Sequence, residues 1–230
     1  MTARGSKDED VASLLTFLTG KISPRKLRLF AVGCCQTIWP ILVDGRSRKA
    51  IRVASRFADG EASDWERRQA FAAARQAYID ADDPAGERGG GVTAGLLAAL
   101  AAASTLSLFR AASEVLQVST LAARARALLD SRPEGASSSG SPEERRRQVA
   151  LLRDIAGPGP LPGLSPAWIT PTVRAIAQGV YLARDWQALP VLADALEEQG
   201  CDHLGILSHL RAPGPHARGC WALDLLLGKE

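Results

Sequence analysis

Aromatic residues are scarce in this sequence, at 5% of the chain, so a core must be filled by Leu, Ala, Val and Ile. Small and aliphatic side chains let helix axes approach closely, and that favours helix-on-helix packing. Long apolar runs are missing too. The nearest candidate, Val92 to Phe109, is interrupted by Gly, Thr and Ser and closed by Arg110. No stretch of about 18 or more uncharged apolar residues reads as a membrane span. The opening segment MTARGSKDEDVASLL puts acids ahead of a short apolar patch and has neither the apolar core nor the cleavage site of an export signal. These absences predict a cytoplasmic chain whose four cysteines are reduced thiols. Motifs of the common enzyme classes are absent as well: no nucleophile elbow, phosphate loop, dinucleotide fingerprint or HExxH. The run GPGPLPG at 157–163 is too rich in proline to cradle a phosphate. An enzyme is therefore the less favoured class.

What is present is helical periodicity. The chain has 230 residues, 46% of them hydrophobic, which suffices for one large helical domain or two small ones. Apolar residues recur at the 3.6-residue period, and period-two alternation is almost absent. A first helix runs from about Asp10 to Thr19, with Gly20 as its stop. Ser23-Pro24 is an N-cap with proline at the first helical position, and the helix it opens buries Leu27, Phe30, Ala31, Cys34, Cys35 and Ile38. Pro40 must end or kink it. A third helix starts at Ser47, and Ser63 with Glu66 forms a capping box for a fourth, Asp64 to about Ala81. Gly89 to Gly91 break the chain before Ala- and Leu-rich helix over 93–130. Further helices are expected near 142–155, 171–183, 186–199, 203–211 and 219–227. The fold class is all-α, a bundle of about eight to ten helices with the N- and C-terminal segments packed together. Composition divides it into a helical region 1–131 with a basic face, a flexible Ser/Gly linker 132–141 and a helical region 142–230, which can also form one composite domain.

Three segments carry a family likeness. They are Arg25-Lys26-Leu27-Arg28-Leu29-Phe30 leading to Cys34-Cys35, then Leu189 to Glu198 (LPVLADALEE), then Pro213-Gly214-Pro215-His216 with Arg218-Gly219-Cys220-Trp221. Together they resemble an uncharacterised family of small proteins and appended domains in planctomycete bacteria of the Gemmata type. The likeness covers both ends of the chain and leaves about 85–165 uncovered. It implies no activity. It marks the two cysteine-bearing segments as the family's signature, with further cysteines at the positions held here by Val32 and Leu210.

The histidines and half of the cysteines fall in one window: Cys201, His203, His209, His216 and Cys220. Zinc takes thiolate and imidazole ligands converging tetrahedrally, and Cys201, His209, His216 and Cys220 are the candidate ligands. The helix between the two ends of this window separates them by roughly 13 Å unless the Pro-Gly-Pro turn doubles back. The alternative is structural, with His209 on a helix face and the two cysteines filling small core positions. Arg211, His216 and Arg218 could also hold an anion, either a ligand or the internal Asp224, which sits in an apolar helix and needs a partner. An internal Arg–Asp clamp is the favoured form. Cys220 with His216 upstream lacks an orienting group for thiol catalysis.

Charge is concentrated at the other end. Lys21 to Arg56 holds nine basic residues against Asp44 alone, and Arg48, Lys49, Arg52 and Arg56 line the third helix. Such a ridge suits a nucleic-acid backbone, an acidic partner, or the chain's own acids around Asp194, Glu197 and Glu198. No aromatics are interleaved in it, which speaks against single strands. Taken together, the sequence points to a non-enzymatic helical binding module with a protein partner and no membrane contact. A zinc-stabilised interaction module and a nucleic-acid-backbone binder are the alternatives.

Overall fold

The computed structural model describes residues 10–81, 100, 102, 104–105, 112–130, 141–159 and 163–229. Among these there are ten α-helices and no strand, as the 3.6-residue period requires. They are α1 (Val11–Leu18), α2 (Pro24–Thr37), α3 (Gly45–Ala58), α4 (Asp64–Ala81), α5 (Ala112–Asp130), α6 (Pro142–Ala156), α7 (Pro171–Ala183), α8 (Leu189–Glu198), α9 (Leu204–Arg211) and α10 (Trp221–Leu227). None of them is long and apolar enough to cross a membrane. The glycine break at 89–91, the expected helix over 93–99 and the linker at 132–140 lie outside the described residues.

The chain forms two compact units, residues 1–152 and 153–230, so the division falls inside α6 rather than at the Ser/Gly stretch. Segments 24–43 and 203–228 belong to different units. In the first unit α2 is the central helix. Ser23 Oγ accepts the Lys26 amide at 3.3 Å, Pro24 takes the first position, and every residue from Leu27 to Cys35 is buried. A helix buried all round needs neighbours on all sides, and α3, α5 and α6 supply them. Gly33 is the point of closest approach: a Cβ there would lie 2.7 Å from Leu151 Cδ2 of α6. Cys34 and Cys35 are fully buried, and desolvation pushes both thiols up. They are packing residues, as expected.

Along α6 the buried Glu144 and Gln148 face α2 and α5. Gln148 donates to Ser119 O at 3.1 Å and to Glu144 Oε1 at 3.2 Å, and the Thr37 hydroxyl stands 3.3 Å from the same carboxylate. Desolvation outweighs these contacts and Arg147, so the Glu144 carboxyl is raised above its ordinary value.

The second unit packs α7, α8 and α9 around α10. Val173, Ala177 and Tyr181 of α7, Leu192 and Leu196 of α8, and Ile206 and Leu210 of α9 meet Trp221, Leu223 and Leu226 of α10. Seven residues are too few for a stable isolated helix, so α10 exists because its faces are buried. Burial is worth about 1.5–3 kcal/mol per large apolar side chain. His203 Nδ1 accepts the Ile206 amide at 3.2 Å and so caps α9.

Candidate metal centre

The site is built from the end of α6, the end of α9 and the loop between α9 and α10. After Arg211 the chain turns through Ala212-Pro213-Gly214-Pro215, with Gly214 at φ +92°. Only glycine enters that region at little cost, and a Cβ there would also lie 3.0 Å from the His216 amide nitrogen. The turn therefore brings His216 and Cys220 back to His209, while Cys201 at the far end of the window stays in the apolar core. His209 in the last turn of α9, His216 after the turn, and Cys220 at the start of α10 converge on Asp154 of α6. One ligand atom from each of the four lies within 4.8 Å of all the others.

His216 Nδ1 stands 2.8 Å from Asp154 Oδ1, while its Nε2 stands 3.0 Å from the Ala212 carbonyl oxygen. Both ring nitrogens thus face acceptors. A neutral imidazole has one N–H, so either the ring is charged or a cation lies between Nδ1 and the carboxylate. His209 Nε2 is 3.1 Å from the same Oδ1 and 3.2 Å from Cys220 Sγ. The other carboxylate oxygen, Asp154 Oδ2, accepts the Ala217 amide at 3.1 Å. His209 also rests 5.0 Å from the Trp221 ring and edge-on to His216, which limits its rotation.

The cluster is largely buried. Side-chain exposure is 3% for Asp154, 4% for His216 and 20% for His209, and Cys220 is fully buried. Burial works to raise the Asp154 carboxyl, but the hydrogen bonds from His209 and His216 outweigh it and hold the group below its ordinary value. Burial likewise works to lower His216, and its bonds to Asp154 and to the Ala212 carbonyl reverse the sign, so the imidazole is raised. Cys220 is pushed well above the ordinary thiol value by burial and by the Asp154 charge. That is the reverse of an activated nucleophile. Moreover, the thiol and the carboxylate address the same nitrogen of His209, whereas a catalytic relay uses the two opposite ring nitrogens.

Three of the four expected ligands therefore meet, and the fourth differs. Cys201 follows the α8 stop at Gly200, its amide bonds to Leu196 O at 3.0 Å, and its side chain lies in the apolar core of the second unit. Asp154 takes the remaining place. One of the arginines expected in the clamp lies outside it. Arg211 points outward and bridges Asp194 and Glu197 of α8, both at 2.6 Å, so it pins α9 to α8. Arg218 lies 4.9 Å over the Tyr181 ring. Asp224 is buried in α10, and the loop residues His216 and Ala217 contact a second acid, Asp154. The signal for Asp154 in the sequence is weak but physical: an acid three residues after Leu151 on a helix, in the register of the buried face.

In the first unit, the basic ridge divides. Arg56 pairs with Glu66 at 2.6 Å, and Arg46 pairs with Asp44 and Asp80 at 2.8 Å. The guanidinium groups of Arg48 and Arg52 instead lie 5.5 and 5.3 Å from the centre of the Trp39 ring. Lys49 is exposed. Trp39 belongs to the short 3-10 turn Trp39–Ile41 that Pro40 forces after α2, and sequence spacing did not link it to the ridge. In comparisons with protein-family models, curated proteins and solved structures, the chain matches none.

Proposed function

We propose that the chain is a non-enzymatic helical binding module whose second unit closes around one divalent metal, zinc, held by Asp154 Oδ1, His209 Nε2, His216 Nδ1 and Cys220 Sγ. The observation that carries this reading is the set of four convergent donors whose supports already stand behind them. The Ala212 carbonyl takes the far N–H of His216, and the Ala217 amide takes the far oxygen of Asp154. Outer hydrogen bonds of this kind fix ligand orientation at metal sites. Zinc bonds of about 2.0–2.3 Å place tetrahedral ligand atoms about 3.3–3.8 Å apart, so each donor needs to move by roughly half an ångström. The donor types favour zinc, because thiolate and imidazole suit a borderline-soft ion and a dication against Asp154 and a Cys220 thiolate leaves the buried cluster neutral. Four protein ligands leave no open position, which supports a structural rather than a catalytic metal.

The test is metal content in chain purified without chelator, followed by replacement with cobalt. The expected result is one metal per chain and a cobalt spectrum carrying a thiolate charge-transfer band that Cys220→Ser removes. Metal far below stoichiometric, with thermal melting unchanged by chelator, overturns the proposal.

A further inference from the structure

A second site, independent of the metal, lies on α3. We propose that Trp39, Arg48, Lys49 and Arg52 form a binding surface for single-stranded nucleic acid. The argument starts from which cations are already neutralised. The α3 helix carries five basic residues and no acid. Arg46 and Arg56 spend their charge on Asp44, Asp80 and Glu66. Arg48, Lys49 and Arg52 form no ion pair among the described residues, and Arg48 Nε is a buried nitrogen with no hydrogen-bond partner.

The second step is what lies beside these charges. Trp39 is half-buried, Pro40 next to it is exposed, and Val43 is 84% exposed. The guanidinium groups of Arg48 and Arg52 lie over the indole, and a base stacks beside them on this cation–aromatic cluster while its phosphate meets their charge, the pairing used to hold unpaired bases. A duplex hides its base faces and leaves the indole without a role. An acidic peptide satisfies the charges but has no planar group to use the ring. The opposite face of α3, with Ala50, Ile51, Val53 and Ala54, is buried, and among the described residues Lys49 and Arg52 of the ridge are exposed.

The experiment is fluorescence anisotropy of the full chain with a labelled oligothymidylate across a salt series. Three phosphate-contacting cations predict a log–log salt slope of about −2, or about a twenty-fold loss of affinity between 50 and 200 mM salt. Arg52→Gln should reduce the magnitude of the slope by about 0.7. Trp39→Leu should weaken binding about ten-fold or more at every salt and leave the slope unchanged. Absence of binding at 50 mM salt overturns the proposal, as does full affinity in the Arg48→Gln/Arg52→Gln variant; Arg52 is exposed and Arg48 half-buried, so the single Arg52→Gln variant separates lost binding from a folding defect at Arg48. Equal competition by duplex or polyglutamate, with Trp39→Leu indistinguishable from the parent, overturns it in favour of a generic polyanion surface.

Discussion

Asp154→Asn separates a metal site from an internal clamp, because the two readings assign different work to the same carboxylate. Without metal, the carboxylate accepts from His216 at 2.8 Å, from His209 at 3.1 Å and from the Ala217 amide at 3.1 Å. An asparagine keeps an oxygen for Ala217 but loses the charge that holds the His216 imidazolium. One charge-assisted hydrogen bond is worth about 1.5–3 kcal/mol, so in chelator the variant should be less stable by about 2–3 kcal/mol. With zinc buffered at 100 times the parent dissociation constant, metal adds about 2.7 kcal/mol to the parent. If the substitution weakens zinc by about 100-fold, the variant gains only about 0.4 kcal/mol at the same concentration. The cost of the substitution therefore grows by about 2.3 kcal/mol when zinc is present. Urea unfolding of both proteins in chelator and in buffered zinc measures all four corners. A clamp without metal predicts the same cost in both solutions and no gain for the parent. That outcome, or an equal zinc gain in parent and variant, refutes the metal reading.

Two further predictions concern the first unit. Because burial raises the Glu144 carboxyl, the unfolded chain ionises first, and stability is lost as pH climbs from the ordinary value of 4.5 through the folded value and stays lost above it. Glu144→Gln should thus gain stability relative to the parent between about pH 4 and pH 7 by urea midpoint, and a flat or falling difference would contradict this. Gly33→Ala gains about 0.8–1 kcal/mol of helix propensity but sets a Cβ 2.7 Å from Leu151 Cδ2, an overpacking cost of about 1–3 kcal/mol. A net loss near 1 kcal/mol should turn into a gain in a Leu151→Ala background, and identical effects in both backgrounds would show that the contact carries no strain.

How much of this was legible in the sequence follows from how far each determinant acts along the chain. Helix ends were legible because their caps are local: Ser23 with Pro24, Ser63 with Glu66, and the left-handed glycines Gly20, Gly60 and Gly200. Where two local signals competed, sequence chose wrongly. The third helix begins at Gly45 instead of Ser47 because the Asp44 carboxylate caps the Arg46 amide at 2.7 Å. At the candidate metal centre His209, His216 and Cys220 stood out by residue type, and the Pro-Gly-Pro turn hinted at a reversal without fixing its direction. Asp154 was not legible in that way, since it lies 55 residues from His209 and 62 from His216, and acids are common on helix surfaces. Its one local trace is its register with Leu151, an acid where the helical period asks for an apolar side chain. Cys201 shows the converse. Its chemistry matched a ligand, but the α8 stop turned it into the core, so residue type misled where position decided. Trp39 repeats the lesson on α3: a proline-forced turn just ahead of the helix that carries the ridge brought the missing aromatic to the charges. In both units the residue that gives a site its chemistry comes from outside the segment that advertises it. The proposed fourth ligand and the proposed stacking ring are therefore the positions at which substitution tests the site rather than the helix that presents it.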